Sequence, residues 1–250
     1  MAKPVTVVTG ASAGLGVEFA RQLAGQGHRL VLVARRKDRL QELAKEVGDA
    51  RVLALDLSEP GATAKLMADI AKKGETVDLL INNAGFGLAG RFAELDTGRQ
   101  REMIDLNCGA LEELSRAVLP GMIARKSGGI LNVASTAAFQ PGPGMAVYFA
   151  TKAFVLSFSE ALHDEMKPHG IKVSCLCPGP TRTEFREVSG FNPKGPGSKQ
   201  SADAASVVRA GIKGLESNQA VVVPGLANKI ISQVNRFLPR AVMRRAARMR

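Results

Sequence analysis

Short runs of valine, isoleucine and leucine recur along the chain at Val5 to Thr9, Arg29 to Ala34, Arg51 to Leu57, Leu79 to Asn82, Gly129 to Ala134, Ile171 to Cys177 and Ala220 to Val223. Between them lie segments whose apolar residues return every third or fourth position: Leu15 to Gln26, Arg39 to Val47, Ala62 to Lys72, Gly98 to Arg125, Tyr148 to Lys167 and Ala202 to Leu215. The first pattern predicts strands buried on both faces, and the second predicts helices with one apolar side. Their alternation predicts an α/β fold in which seven parallel strands form one doubly wound sheet, with helices on both faces and right-handed crossovers. No linker-like stretch interrupts residues 1 to 180, so a single domain is expected. The one loop-like composition, Val188 to Lys199, carries Gly190, Pro193, Gly195, Pro196 and Gly197 and is expected to be mobile.

In such a sheet ligands collect beyond the carboxyl ends of the strands, so the residues there are the ones to inspect. The first strand runs into Thr9-Gly10-Ala11-Ser12-Ala13-Gly14-Leu15-Gly16, and a helix begins at its end. Glycines allow a tight turn and a close backbone approach to a pyrophosphate, whose charge then faces unpaired N–H groups of the helix start. Tight turns need glycine for steric reasons as well, so this motif alone is weak. The second strand ends in Ala34-Arg35-Arg36. A carboxylate there would suit a free ribose 2′-hydroxyl; Arg35, with or without Arg36, suits a 2′-phosphate and favours NADP over NAD. Both arginines would equally serve to begin a solvated helix. The third strand ends in Asp56-Leu57, where a carboxylate can accept from an adenine amino group, and the fourth in Asn82-Asn83-Ala84-Gly85, small enough for a cofactor to lie against. Either could be ordinary turn chemistry.

Tyr148 is the only tyrosine, and Lys152 follows four positions later, on the same helical face. An ammonium near a phenol favours the phenolate, so the phenol is expected below its usual value of about 10. Ser135 ends the fifth strand, thirteen residues before Tyr148, where its hydroxyl would reach a substrate oxygen. Asn107 sits inside a helical segment that asparagine mildly disfavours. Taken singly, Ser135 reads as a strand-end turn residue and Asn107 as a helix irregularity.

Taken together, the Thr9-Gly10-x-x-x-Gly14-x-Gly16 turn, Asp56, Asn82-Asn83-Ala84-Gly85, Asn107, Ser135, Tyr148-x-x-x-Lys152 and Pro178-Gly179-Pro180-Thr181-x-Thr183 make the chain resemble the short-chain dehydrogenase/reductase family over residues 5 to 225. The resemblance implies a Rossmann-type fold and an NADP(H)-dependent oxidoreductase interconverting a carbonyl and an alcohol. It implies that Tyr148 protonates the carbonyl oxygen as hydride arrives, that Ser135 polarises that oxygen, that Lys152 also holds the nicotinamide ribose, and that Asn107 holds a water in a proton relay. Gly10, Ser12, Gly14, Leu15, Gly16, Arg35, Arg36, Asp56, Leu57, Asn83, Ala84, Gly85, Pro178, Gly179, Thr181 and Thr183 would hold the cofactor, the last four at its carboxamide end. The segment that follows would close over substrate, and a homodimer or homotetramer is expected. One departure stands out: Ala13 occupies a position at which many NADP-using relatives carry a basic residue.

Phe86, Leu88, Phe139, Met145, Phe185 and Phe191 fall in loops that border the expected pocket and point to an apolar substrate. A 3-oxoacyl thioester reductase is the runner-up. A non-catalytic NADP sensor with a membrane-binding tail is the alternative of a different class, disfavoured by the retention of Tyr148, Lys152, Ser135 and Asn107.

The net charge is +11, yet no acidic residue follows Glu216, while Lys229, Arg236, Arg240, Arg244, Arg245, Arg248 and Arg250 do. Basicity is mainly a property of the tail, residues 226 to 250, in which Ile230, Ile231, Val234, Phe237 and Leu238 follow one helical face. Such a tail would pack on the body or a neighbouring subunit, lie on an anionic membrane, or bind an acidic partner. With one tyrosine and no tryptophan, a stacking platform for nucleic acid is missing. Cys108, Cys175 and Cys177 make no paired framework and the three histidines no ligand spacing, so packing, a reducing compartment and no metal are expected. The Met1 end holds no export-signal pattern, and glycines and prolines break the uncharged stretch Ser127 to Thr151. A cytoplasmic location is expected, with peripheral membrane contact through the tail as an option.

Overall fold

The computed structural model describes residues 3–190, 201–234 and 239–248. Seven strands form one parallel sheet: β1 Lys3–Thr9, β2 Leu30–Ala34, β3 Ala50–Ala54, β4 Glu75–Asn82, β5 Gly129–Val133, β6 Lys172–Leu176 and β7 Val221–Val222, in the order β3-β2-β1-β4-β5-β6-β7. The chain leaves β1 toward β2 and β3 on one side, then returns to place β4 on the other. That reversal opens a crevice beyond the carboxyl ends of β1 and β4, where ligands of open α/β sheets bind.

The double winding follows from the alternation along each strand. Val5, Val7, Val31, Val33, Leu80, Ile130 and Val173 face one layer, built from α3 Ala62–Lys72, α5 Leu111–Arg125 and α6 Ala146–Met166. Val8, Leu30, Leu32, Ile81, Leu131 and Leu176 face the other, built from α1 Gly14–Gly25, α2 Lys37–Val47 and α8 Ala204–Glu216. Both faces of every inner strand are covered, so the strands read as unbroken apolar runs.

Four boundaries differ from the sequence expectation. β3 stops at Ala54, so Asp56 and Leu57 lie in the turn beyond it. β4 begins at Glu75, four residues before the apolar run, because Glu75 pairs at 2.6 Å with Arg51 of β3's strand layer and Lys3 to Val5 supply backbone partners. β7 is only two residues long. The predicted helix Gly98 to Arg125 divides into α4 Thr97–Ile104, a π-helical turn Asp105–Ala110, and α5. Beyond β6 come a short helix α7 Phe185–Ser189 and, after α8 and β7, α9 Leu226–Val234 and α10 Arg240–Arg248. Most of the predicted loop, residues 191–200 with Phe191, lies outside the described residues, as do Phe237 and Leu238 of the tail.

Candidate active site

Thr9 locks the two central strands together. Its hydroxyl donates to the Ile81 carbonyl at 3.1 Å and accepts the N–H groups of Asn83 and Ala84, both at 3.0 Å. The Asn83 side-chain amide returns the tie by donating to the Thr9 carbonyl at 2.9 Å. A Cβ on Gly10 would stand 2.8 Å from the Ala84 Cα, and one on Gly16 only 2.2 Å from the Gly10 carbonyl oxygen. Glycine at both positions is therefore a packing necessity. Gly10 and Gly14 also take positive φ angles of 65° and 55°, a region other residues enter at a cost. The start of α1 has Ala13 as N-cap, no side-chain cap and no acidic residue in its first turn. Apart from the Gly16 N–H, which donates to the Ala13 carbonyl at 3.2 Å, its first N–H groups can face an anion.

The basic groups beside this turn divide their work. Arg35 points to Asp56 at 3.5 Å and Glu102 at 3.1 Å. Arg36 instead bends over the glycine-rich turn, donating to the Ser12 hydroxyl and carbonyl, each at 3.2 Å, and pairing with Glu184 at 3.1 Å. Arg36, rather than the Arg35 expected first from the sequence, is therefore the guanidinium that lies against the glycine-rich turn. Arg39, one helical turn further, reaches Glu184 at 2.6 Å. Neither Arg39 nor Glu184 stood among the expected site residues; the spacing of Arg36 and Arg39 was the available signal for the first, and nothing local marks the second. Burial raises the Asp56 carboxyl, but hydrogen bonds from Ser58 together with Arg35 outweigh it and hold Asp56 below its usual value.

The chemical groups gather at the end of β5. Ser135, immediately past the strand, accepts the N–H of Ala137 at 3.1 Å and so caps the 3-10 turn Thr136–Phe139. Tyr148 and Lys152 project from the first turns of α6, and both are buried. The phenol shares a hydrogen bond with Ser135, and the Lys152 Nζ donates to the Val133 carbonyl at 2.8 Å. Asn107, in the π-helical turn, accepts the Phe86 N–H at 3.0 Å and donates to the Phe86 carbonyl at 2.9 Å and the Thr151 hydroxyl at 3.0 Å. A π-turn inserted in a helix re-aims one residue; here it aims the asparagine across to α6 and pins the Gly85-Phe86 loop. Its side chain works as a brace.

The expected lowering of the phenol by Lys152 is corrected. Burial pushes Tyr148 up to about 12, with the Ser135 hydrogen bond pulling in the other direction. Burial likewise pushes Lys152 down to about 8. The physical reason is that desolvation penalises both charged forms, while the ammonium stands 5.9 Å from the phenol ring centroid and gives its hydrogen bond to a backbone carbonyl.

Beyond β6 the Thr136 N–H donates to the Pro178 carbonyl at 2.8 Å, and Thr181 donates to Gly179 at 2.9 Å. A Cβ on Gly14 would meet Thr183 at 3.2 Å, so this segment closes back onto the glycine-rich turn. Around Tyr148 lie Phe86, Met145, Leu88 and Phe185. Phe139 departs from expectation: it packs with Cys175 and Cys177, under β7 and away from the phenol. Those two thiols are wholly buried, and together with Cys108 they face Lys152.

Fold and geometry define the class, a parallel α/β sheet with a dinucleotide-type cradle at its switch point and a Ser-Tyr-Lys cluster beside it. The chain belongs to the short chain dehydrogenase family, whose model matches residues 4–192. It is 40% identical over 187 residues, 74% of this chain and 75% of the relative, to the NADP-dependent 3-hydroxy acid dehydrogenase YdfG of Escherichia coli (strain K12). A short-chain dehydrogenase from Sphingobium yanoikuyae, solved in complex with NADPH, superposes with a TM-score of 0.82 at 36% identity, covering 89% of this chain and 88% of that one. The bulky-bulky ketone specific alcohol dehydrogenase from Comamonas testosteroni superposes with a TM-score of 0.78 at 32% identity, covering 90% and 88%. The chain is an oxidoreductase of this family.

Proposed function

We propose that the protein is an NADP(H)-dependent oxidoreductase that interconverts a carbonyl and an alcohol on an apolar substrate. The observation that carries the cofactor reading is Arg36 folded over Ser12 beside an uncapped helix start: the site offers donors and positive charge where a 2′-phosphate and a pyrophosphate would lie. The NADP dependence of the Escherichia coli relative and the NADPH complex of the Sphingobium enzyme support it. Gly10, Ser12, Gly14, Leu15, Gly16, Arg35, Arg36, Asp56, Leu57, Asn83, Ala84, Gly85, Pro178, Gly179, Thr181 and Thr183 are assigned to its binding.

When bound, the nicotinamide supplies or accepts a hydride. Tyr148 is assigned as the acid/base. With its phenol held near 12 it is fully protonated at neutral pH and is set to donate to a carbonyl oxygen, while returning that proton in alcohol oxidation demands a helper. Lys152, near 8, still carries charge at neutral pH and is close enough to titration to move a proton. Ser135 orients the phenol and would donate to the substrate oxygen. Asn107 holds the loop that forms the far wall.

Phe86, Met145 and Phe185 beside the phenol favour a bulky apolar ketone or alcohol, in line with the name of the Comamonas neighbour. The Escherichia coli relative, a 3-hydroxy acid dehydrogenase, favours a 3-hydroxy acid. Comparing kcat/KM for aryl ketones and for small 3-oxo acids, each with NADPH and NADH, decides between them; a preference confined to the charged acids overturns the apolar reading. A 3-oxoacyl thioester reductase is the narrower second form.

Residues 1–225 are assigned as the catalytic domain and 226–250 as an appended basic tail. Asn228 and Ser232 turn the polar side of α9 inward, with Asn228 against Gly179, while Leu226 is 75% exposed and Ile230 55%. This outward apolar face suits a neighbouring subunit of a homodimer or homotetramer, or an anionic membrane surface. Among the described residues no helix is long and apolar enough to cross a membrane. A cytoplasmic location is proposed, with peripheral membrane contact through the tail as an option.

A further inference from the structure

Glu184 sits between two parts of the site that the chemistry treats separately. Its Oε2 accepts from Arg36 at 3.1 Å and its Oε1 from Arg39 at 2.6 Å. Arg36 is at the same time bound to Ser12. Three segments distant in sequence, the glycine-rich turn, the start of α2 and the segment after β6, therefore meet on one carboxylate. The hydrogen bond from Arg39, with Arg36 adding to it, holds Glu184 below the usual carboxylate range, so it is an anion at neutral pH.

The next residue, Phe185, is committed to the other end of the site. Its ring centroid lies 5.2 Å from that of Tyr148, tilted by 46°. A Cβ on Gly87 would stand 2.9 Å from the Phe185 Cζ, 3.1 Å from the Met145 Cε and 3.2 Å from the Tyr148 Cδ2. Phe185 is thus wedged between the 86–88 loop and the phenol, at the point where a substrate would approach. One peptide bond joins the group that occupies the arginines to the ring that covers the acid/base.

We propose that Glu184 is a built-in stand-in for the 2′-phosphate: a 2′-phosphorylated adenosine takes Arg36 and Arg39 from the carboxylate, and the freed segment lets Phe185 move off Tyr148. The inference rests on the cofactor reading above and deepens it. A phosphate monoester carries about −1.5 to −2 charge and three acceptor oxygens against one charge on the carboxylate, and the ion pairs it must replace are half-exposed and individually weak. The exchange therefore runs toward the phosphate. An adenosine with a free 2′-hydroxyl offers no competing anion, and the segment stays closed. Discrimination between the two cofactors is then expressed at the phenol as well as in affinity.

The test uses the full chain with two probes, adenosine 2′,5′-bisphosphate and 5′-AMP, and reads affinity by calorimetry and amide hydrogen exchange across Thr181 to Gly190. In the wild type the bisphosphate should raise exchange in Phe185 to Ser189 while 5′-AMP leaves it unchanged. In Glu184→Gln exchange should already be raised without ligand, and the bisphosphate should bind about five- to tenfold more tightly, with 5′-AMP affinity unchanged. Weaker bisphosphate binding in Glu184→Gln, or equal exchange with both probes in the wild type, overturns the proposal while leaving the cofactor reading intact. Failure of the wild type to bind the bisphosphate or NADPH overturns both.

Discussion

Lys152 stands one helical turn beyond Tyr148, yet its ammonium reaches the Val133 carbonyl at 2.8 Å and lies 5.9 Å from the phenol ring centroid. The two groups are buried side by side without an ion pair between them, and burial drives their proton affinities apart: the phenol up to about 12, the amine down to about 8. In the proposed mechanism the protonated phenol gives its proton to a substrate oxygen and the amine, near its titration point, helps to return it.

Replacing Tyr148 by Phe removes the acid and little else. Carbonyl reduction should fall by about 10²- to 10⁴-fold, with NADPH affinity unchanged by fluorescence titration and the fold intact by circular dichroism. Undiminished turnover in such a variant sinks the catalytic assignment.

The Lys152 amine makes folding pH-dependent. Its folded value, near 8, is below the ordinary lysine value of about 10.5, so the folded state holds that proton less well. The penalty is complete below pH 8, relaxes as pH rises toward 10.5, and amounts to roughly 3 kcal/mol. Urea unfolding from pH 7 to 10 should therefore show wild-type stability gaining relative to Lys152→Met. Cys108, whose thiol burial pushes up to about 11, titrates nearby in both proteins and largely cancels in the comparison. A flat difference would contradict the assigned shift.

Arg36→Ala should weaken NADPH binding by about 10- to 100-fold, the worth of a charge-assisted phosphate contact, and change NADH affinity much less. Arg35→Ala, whose guanidinium is turned to Asp56 and Glu102, should have the smaller effect. Equal losses for both cofactors would remove Arg36 from the 2′-phosphate.

Asn107→Ala deprives the Phe86 N–H and carbonyl and the Thr151 hydroxyl of their partner in a buried site. Unfolding midpoints should report a loss of about 2 to 4 kcal/mol, and a loss under about 1 kcal/mol would show that the brace is not needed.

The outward face of α9 predicts salt-sensitive co-sedimentation of the full chain with vesicles rich in phosphatidylglycerol, reduced in Leu226→Ser/Ile230→Ser. Concentration-dependent dimerisation, weakened by the same changes and without vesicle binding, would assign the face to a subunit contact instead.

The succession of strands and helices, the glycine-rich turn, the Tyr148-Lys152 spacing and the basic tail were legible in the chain because each depends on local periodicity or on residues within one element. Ser135 and Asn107 were legible only through their company, since a serine after a strand and an asparagine in a helix have ordinary uses. β4's early start depended on a distant arginine, and Asp56 fell past its strand. What the sequence alone determined was which groups would arrive at the carboxyl edge of the sheet. The tertiary structure alone decided what those groups became: that Arg36 and not Arg35 covers the glycine-rich turn, that Glu184 joins two ends of the crevice, and that burial outweighs charge at the phenol. Such outcomes turn on desolvation and on contacts across more than a hundred residues, neither of which a local pattern records.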